Sequence, residues 1–376
     1  MGLKSGMIAQ LGLKAELTPG VPVVVDTFIP LVSESMGAEP EQIESEGILA
    51  GRRVLGSEQH TTGKVTVGGD VGFELYRKNL RAVLKAMFGV ETGSSPYTYT
   101  PGDLEDDAVT VQIGKPGVGG TVHPFTYSGC KVASWELAVS AGEIATVGLT
   151  LAAQKEILHR QVTDGVTTDT STALTSATAA FTDDDIGKPI SGTGIQAGTT
   201  IASVTSATAV VLSLAATASG TGITVVIGMA LAAASYPSGL IPVKFSHGTV
   251  TIAGSAVKVK KAKLAGDNGL DLERFFLGTP YRDDPLEADL RAYTAEFDLE
   301  FQDLTQYRRY LNGSEHAMVL TFTAGGFSLV ITTNVFYTGK KPEVGGRGIV
   351  QQNLPMKCVG PTTDAGAITA VLTEAA

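Results

Sequence analysis

Residues 296–301 read Glu-Phe-Asp-Leu-Glu-Phe, a carboxylate alternating with an apolar side chain at every step. Successive side chains on a strand point to opposite faces, so Glu296, Asp298 and Glu300 face one way and Phe297, Leu299 and Phe301 face a core. Three carboxylates at i, i+2 and i+4 repel one another unless bases or water lie beside them. The stripe therefore demands a sheet that is dry on one side and either wet or paired with Lys and Arg on the other. Residues 64–75, with Val65, Val67, Val71 and Phe73, carry the same period. Further strands are expected at 131–139, 146–152, 249–252, 257–264, 291–301, 317–323, 327–337, 348–358 and 368–373. Helical period is scarce. Leu80, Val83, Leu84, Met87 and Phe88 recur at i, i+3, i+4, i+7 and i+8, which predicts a helix over 76–88 ended by Gly89. A second, short helix is expected over 304–311, ending at Asn312-Gly313.

Such an inventory, runs of strands with one or two helices, describes an all-β sandwich or barrel. The 376 residues are enough for two domains or for one large β domain carrying an insertion. Composition favours the insertion. Between 161 and 228 Thr, Ala, Ser and Gly dominate, Phe181 is the only aromatic residue and Lys188 the only base. The run Thr-Ser-Ala-Thr-Ala appears there twice, at 175–179 and 205–209. β-branched and apolar stretches at 199–204, 208–214 and 222–227, separated by turn signals, read as a small all-β module rather than a linker. The expected division is 1–160 and 229–376 for one domain in two parts, with 161–228 inserted between them.

Several classes of function are disfavoured. The formal charge of -10 argues against a protein that wraps nucleic acid by neutralising phosphates. Two cysteines, Cys130 and Cys358, cannot form a disulfide framework or a zinc ribbon, and read as buried thiols. The first residues, MGLKSGMIAQLGLK, hold no continuous apolar stretch of the secretory kind, and Gly6 stands where a myristoylation signal on Gly2 would want Ser or Thr. The longest apolar run, 223–234, is broken by Gly228 and is too short to span a bilayer. A soluble protein made in a reducing compartment is expected.

Catalytic and ligand-binding patterns are equally thin. His60, His123, His159, His247 and His316 are scattered, with no metal-binding spacing. Ser128-Gly-Cys130 is no nucleophile elbow, and Gly192-Thr-Gly194 with Gly198 has the wrong spacing for a dinucleotide loop. Gly63-Lys64 and Gly114-Lys115 lack the remainder of a phosphate-binding loop. Asp183-Asp184-Asp185 before Gly187 could wrap a hard cation but fits no calcium loop, and solvated turn acids are the simpler account. No enzyme, no catalytic or metal residue and no cofactor is expected.

Residues 28–53, FIPLVSESMGAEPEQIESEGILAGRR, are followed by Gly63-Lys-Val-Thr-Val-Gly-Gly-Asp-Val71 and the helix. Ser128-Gly-Cys-Lys-Val-Ala-Ser-Trp135, Leu264-Ala-Gly-Asp-Asn-Gly-Leu270, Leu277-Gly-Thr-Pro-Tyr-Arg282 and Phe297-Asp-Leu-Glu-Phe301 come later in the same order. This succession of blocks resembles the tail tube protein family of long-tailed, siphovirus-type bacteriophages, over roughly 1–160 and 229–376. The resemblance implies a β-sandwich or barrel with one packed α-helix, a structural protein of the virion tail assembled in the host cytoplasm from six-fold rings that stack into a hollow tube for the genome. It implies as partners other copies of the chain, tail proteins at the tube ends and a tape measure protein in the lumen. DNA would pass without specific binding, and no membrane anchor is implied. The middle segment departs from the bare family pattern and resembles Thr- and Gly-rich β modules of phage tail and fibre proteins. A surface-displayed carbohydrate-binding β protein and the ring protein of a related contractile injection machine are the alternative readings.

Two sets of residues are candidates for function on this reading. Residues 36–62 are long, mix Glu44 and Glu46 with Arg52 and Arg53, and lack a clear strand period, so they are expected to be a loop that makes the ring-to-ring contact. Glu296, Asp298 and Glu300 are candidates for the lumen wall, where they would keep DNA from adhering.

Overall fold

The computed structural model describes residues 6–375 apart from 49, 340, 343, 345, 346 and 361–365; the Gly2 position considered above lies outside them. The chain is mostly strand, with two α-helices, α1 (Arg81–Phe88) and α2 (Thr305–Asn312).

Six antiparallel strands form the main sheet, in the order His60–Glu74, Thr146–Ala153, Val122–Ser140, Val259–Asp267, Ala292–Glu300 and Gln351–Val359. Register lines up apolar rows: Leu149 lies between Val71 and Trp135, Leu264 between Leu137 and Ala295, and Phe297 faces Leu354. All are buried. The alternate residues, from Asp70 and Gly72 through Glu136 and Lys263 to Glu296 and Asn353, lie on the solvent side. A slip of one residue would exchange the two faces, so burial fixes the register. Gly266 sits opposite Trp135, and a Cβ there would lie 2.4 Å from the indole. Its lack of a side chain lets the ring pack against Phe88, with centroids 5.4 Å apart.

Two long strands belong to more than one sheet. Val122–Ser140 pairs through its second half within the main sheet, and through its first half with Val109–Pro116 and Lys155–Leu158. The change comes at Gly129, whose φ of +62° favours glycine. Phe327–Tyr337 meets Gln351–Val359 through its last four residues and Ile368–Thr373 through residues 328–333. It thereby joins the main sheet to a second one, ordered Gly89–Gly93, Tyr97–Pro101, Ile368–Thr373, Phe327–Tyr337, His316–Ala324, Gly248–Ile252 and Ser255–Val257. One apolar core, running from Phe297 and Leu264 to Phe322, Leu329 and Ile331, fills the space between them. Val83, Leu84, Met87 and Phe88 of α1 are buried in that same core.

The helix is shorter than its sequence pattern. Tyr76 bridges to Pro242, Arg77 N–H donates to the Ile241 carbonyl, and Asn79, at φ +65°, donates its side-chain amide to Phe28 O. Tertiary hydrogen bonds thus take the first expected turn, and helical bonding starts only at Leu80 O. Asp303 accepts from Thr305 N–H at the start of α2, and Gly313 ends it in the left-handed conformation.

Residues 160–227 form a separate six-stranded sheet, ordered Ile190–Gly192, Gly220–Ile227, Arg160–Thr167, Ala173–Thr175, Ala209–Leu212 and Ile201–Ser206. Leu174, Phe181, Ile201, Val210, Val225 and Ile227 belong to a core of its own. Arg160 pairs directly with Ile227, so the chain enters and leaves this sheet at one place. The Asp183–Asp185 run is a 3-10 turn in which buried Asp185 accepts from Arg160 at 2.7 Å and Lys188 at 2.8 Å. That carboxylate is engaged in ion pairs, which is a structural role.

The segment 36–62 is only in part a loop. Gly37–Glu44 pairs antiparallel with the first half of His60–Glu74, from Gly37 opposite Gly68 to Glu44 opposite His60. The result is a β-hairpin arm, with residues 45–48 and 50–59 between its strands. Residues 39–48 and 50–55 are exposed. With neither face buried, selection for apolar alternation is absent, and the strand leaves no period in the sequence.

Candidate functional site

The candidate acids Glu296, Asp298 and Glu300 stand in a row on the solvent side of the main sheet, while Phe297 and Leu299 between them are buried. Their mutual repulsion is relieved within the chain itself. Asn353, across the strand pair, donates its amide to both Glu296 and Asp298 at 2.7 Å. Glu300 pairs with Lys260 at 2.7 Å, and Lys263 on the neighbouring strand pairs with Glu136 at 2.6 Å. These ion pairs are well hydrated and each contributes roughly 0–1 kcal/mol to stability, so they arrange the face more than they stabilise it. Asp70, which accepts from Thr150 at 2.7 Å, lies at the far margin of the same face.

Between those margins the face is hollow. A depression of about 640 Å³ is lined by Gly72, Ser134, Glu136, Thr146, Gly148 and Thr294, mostly small or hydroxyl-bearing residues. Gly72, Gly148 and Ala265 share this face across three strands and leave its centre low. Small side chains, hydroxyls and carboxylates give a surface with few groups that grip a phosphate backbone. No Lys or Arg lines the depression, and Lys263, at its border, is occupied by the lining residue Glu136.

The sheet has two unlike margins. On one, Gly37–Glu44 and Leu31–Glu34 pair with His60–Glu74, and the arm projects. On the other, residues 351–354 pair with Ala292–Glu300 on one side and, among the described residues, with no strand on the other. An unpaired strand edge is a template for another chain.

Glu44 and Glu46 lie exposed at the end of the arm, Arg52 pairs with Glu58 at 2.9 Å, and Arg53 follows on the exposed return. The four candidates thus share one arm, whose base strand borders the hollow face. Sequence reasoning missed the apolar part of this tip. Ile43, Val54 and Leu55 are exposed, and Ile48 is 96% exposed. Apolar residues within a mixed charged segment carry no period, so nothing marks them as surface until the arm is seen to project. The Lys260 and Asn353 partners of the acids were equally hidden, because they meet only through strand register.

Among the described residues no group of three or more His, Cys, Asp or Glu side chains could hold a metal ion. Among those residues no helix is long and apolar enough to cross a membrane. Cys130 and Cys358 are free and buried. One protein-family model, described as phage tail tube protein, matches residues 6–212 and 213–358. No curated protein matches the chain.

Proposed function

The chain belongs to the phage tail tube protein family, and from that premise we propose that it closes into hexameric rings that stack into the hollow tail of a siphovirus-type bacteriophage and conduct its genome. Its role in the virion tail is structural, and such families are not typically enzymatic. The observation that carries the finer reading is the main sheet, dry on one face, hollow and solvated on the other, with an open edge at 351–354 and an arm at the opposite margin. Joining the open edge of one subunit to the arm-bearing margin of the next would continue the sheet around a ring and cover both edges. The hollow face would then line the lumen. Glu296, Asp298 and Glu300 would repel DNA over the roughly 8–10 Å that charge reaches at physiological salt.

The arm would reach the adjacent ring, making a head-to-tail contact of the kind that propagates without closing. The sheet of residues 160–227 would stand on the outside, since in the lumen it would obstruct the passage. Its bulk there supports a tube without a contractile sheath around it. A tape measure protein in the lumen, other tail proteins at the tube ends and assembly in the host cytoplasm complete the reading. Negative-stain microscopy of the purified protein tests it: tubes or rings with a central channel are expected, and a protein that stays monomeric at high concentration would overturn it.

A further inference from the structure

The ring-to-ring contact needs a receptor for the arm, and the far corner of the main sheet has the features of one. Register places Glu74, Thr146, Ser140, Val259, Glu300 and Gln351 at one end of the sheet, and the arm leaves from the other end, beyond Val67. At the first end, on the margin away from the arm, a pocket of about 260 Å³ opens between the sheet and α2. Lys258, Leu299, Asp303, Gln306, Arg309 and Gln352 contribute to its lining.

Two observations point to an anionic occupant. Gln352 is only 2% exposed, yet both its Nε2 and its Oε1 are buried without a partner among the described residues. Leaving such groups unsatisfied is costly, a penalty that a fitting ligand would remove. Among the described residues, neither Lys258 nor Arg309 has a carboxylate within ion-pair distance; Arg309 donates to Gln306 Oε1 at 3.2 Å, an oxygen that also accepts from Tyr337, and its charge is felt by Asp303 and Tyr337. Asp303, the acid in the pocket, has one carboxylate oxygen occupied by Thr305 N–H at 2.7 Å. The pocket therefore offers an amide N–H and two cations to an acceptor, and one carbonyl to a donor. A carboxylate carried on extended backbone satisfies both.

The arm ends in such groups. Glu44 and Glu46 are exposed at its tip, with no ion pair among the described residues. Arm and pocket occupy diagonally opposite corners of one sheet, the placement that a non-closing, head-to-tail contact requires. We propose that the pocket between α2 and the end of the main sheet receives the Glu44 and Glu46 carboxylates of the arm of a second copy in the next ring. This rests on the tube reading above.

A charge exchange tests it, read as tube length by negative stain. Wild-type protein that forms no tubes would count against the tube reading itself. If wild type forms tubes, Glu44→Lys with Glu46→Lys should shorten them at least about tenfold, as should Lys258→Glu with Arg309→Glu, because each places like charges face to face. Combining all four should restore length. The proposal is overturned if the pocket reversal leaves length unchanged, or if the folded quadruple variant is no longer than either parent. Gln352→Leu guards against misfolding around Arg309. Removing a buried amide without partners should raise the melting temperature of dispersed subunits by about 2–4 °C while shortening the tubes. Tubes of normal length from that variant would also overturn the proposal.

Discussion

At the scale of single residues, the exposed and buried carboxylates of this chain have opposite fates. Glu296, Asp298 and Glu300 sit in water beside Asn353 and Lys260, so reversing them to Lys should not unfold the subunit. If they line the channel, the triple Lys variant builds tubes yet delivers DNA poorly, since each added cation holds a phosphate. Loss of tubes would place the stripe at a subunit joint, and normal tubes with normal infectivity would remove it from the lumen. Glu16, by contrast, is buried, and accepts from Gly20 N–H and the Thr110 hydroxyl at 2.7 Å and from Gly129 N–H at 3.0 Å. Burial raises its pKa above the ordinary 4.5; the three donors pull it down, but lost hydration is the larger effect. Since the folded value exceeds the unfolded one, this group's contribution to stability is full below about pH 4.5 and is lost as pH rises through the folded value. Glu16→Gln should abolish that slope. Its melting temperature relative to wild type should therefore climb from about pH 4 toward neutrality, and parallel curves would contradict the sign.

At the scale of elements, the arm is where function and legibility part company. Arg52 and Glu58 are half exposed, so their pair contributes little to folding. Arg52→Glu with Arg53→Glu should leave thermal unfolding within about 1 °C of wild type. If the arm stacks rings, the same variant shortens tubes, and unchanged tube length would remove these arginines from the contact. The strand Ala292–Glu300 was plain in the sequence because one of its faces is buried, and the core writes apolar residues into every second position. Gly37–Glu44 was not, because an arm in solvent on both sides has no core to imprint a period. The helical pattern at 76–88 overshot for a different reason. Hydrogen bonds from Arg77 and Asn79 to distant segments outcompeted the first turn, and no local pattern reports a partner more than a hundred residues away, as Ile241 is from Arg77. The receptor pocket lay beyond sequence reasoning altogether, since register and a turn of helix bring Lys258, Arg309 and Gln352 together.

At the scale of the whole molecule, the pairing of Arg160 with Ile227 predicts what deletion does. The two ends of the 160–227 sheet are already neighbours, and its core is separate from the main one. Replacing residues 161–228 with a short Gly/Ser linker should leave a folded subunit that forms thinner tubes. Loss of all assembly would show that this sheet takes part in the ring. The two strands shared between sheets, Val122–Ser140 and Phe327–Tyr337, have a mechanical meaning. Where layers are joined only by side-chain packing they can slide past one another, but here unbroken backbone carries tension from one layer into the next. A tail built from such units would behave as a string of stiff beads. Curvature on bending would collect at the joints between rings, where the arms would cross, and the bore within each ring would keep its width while the tail flexes.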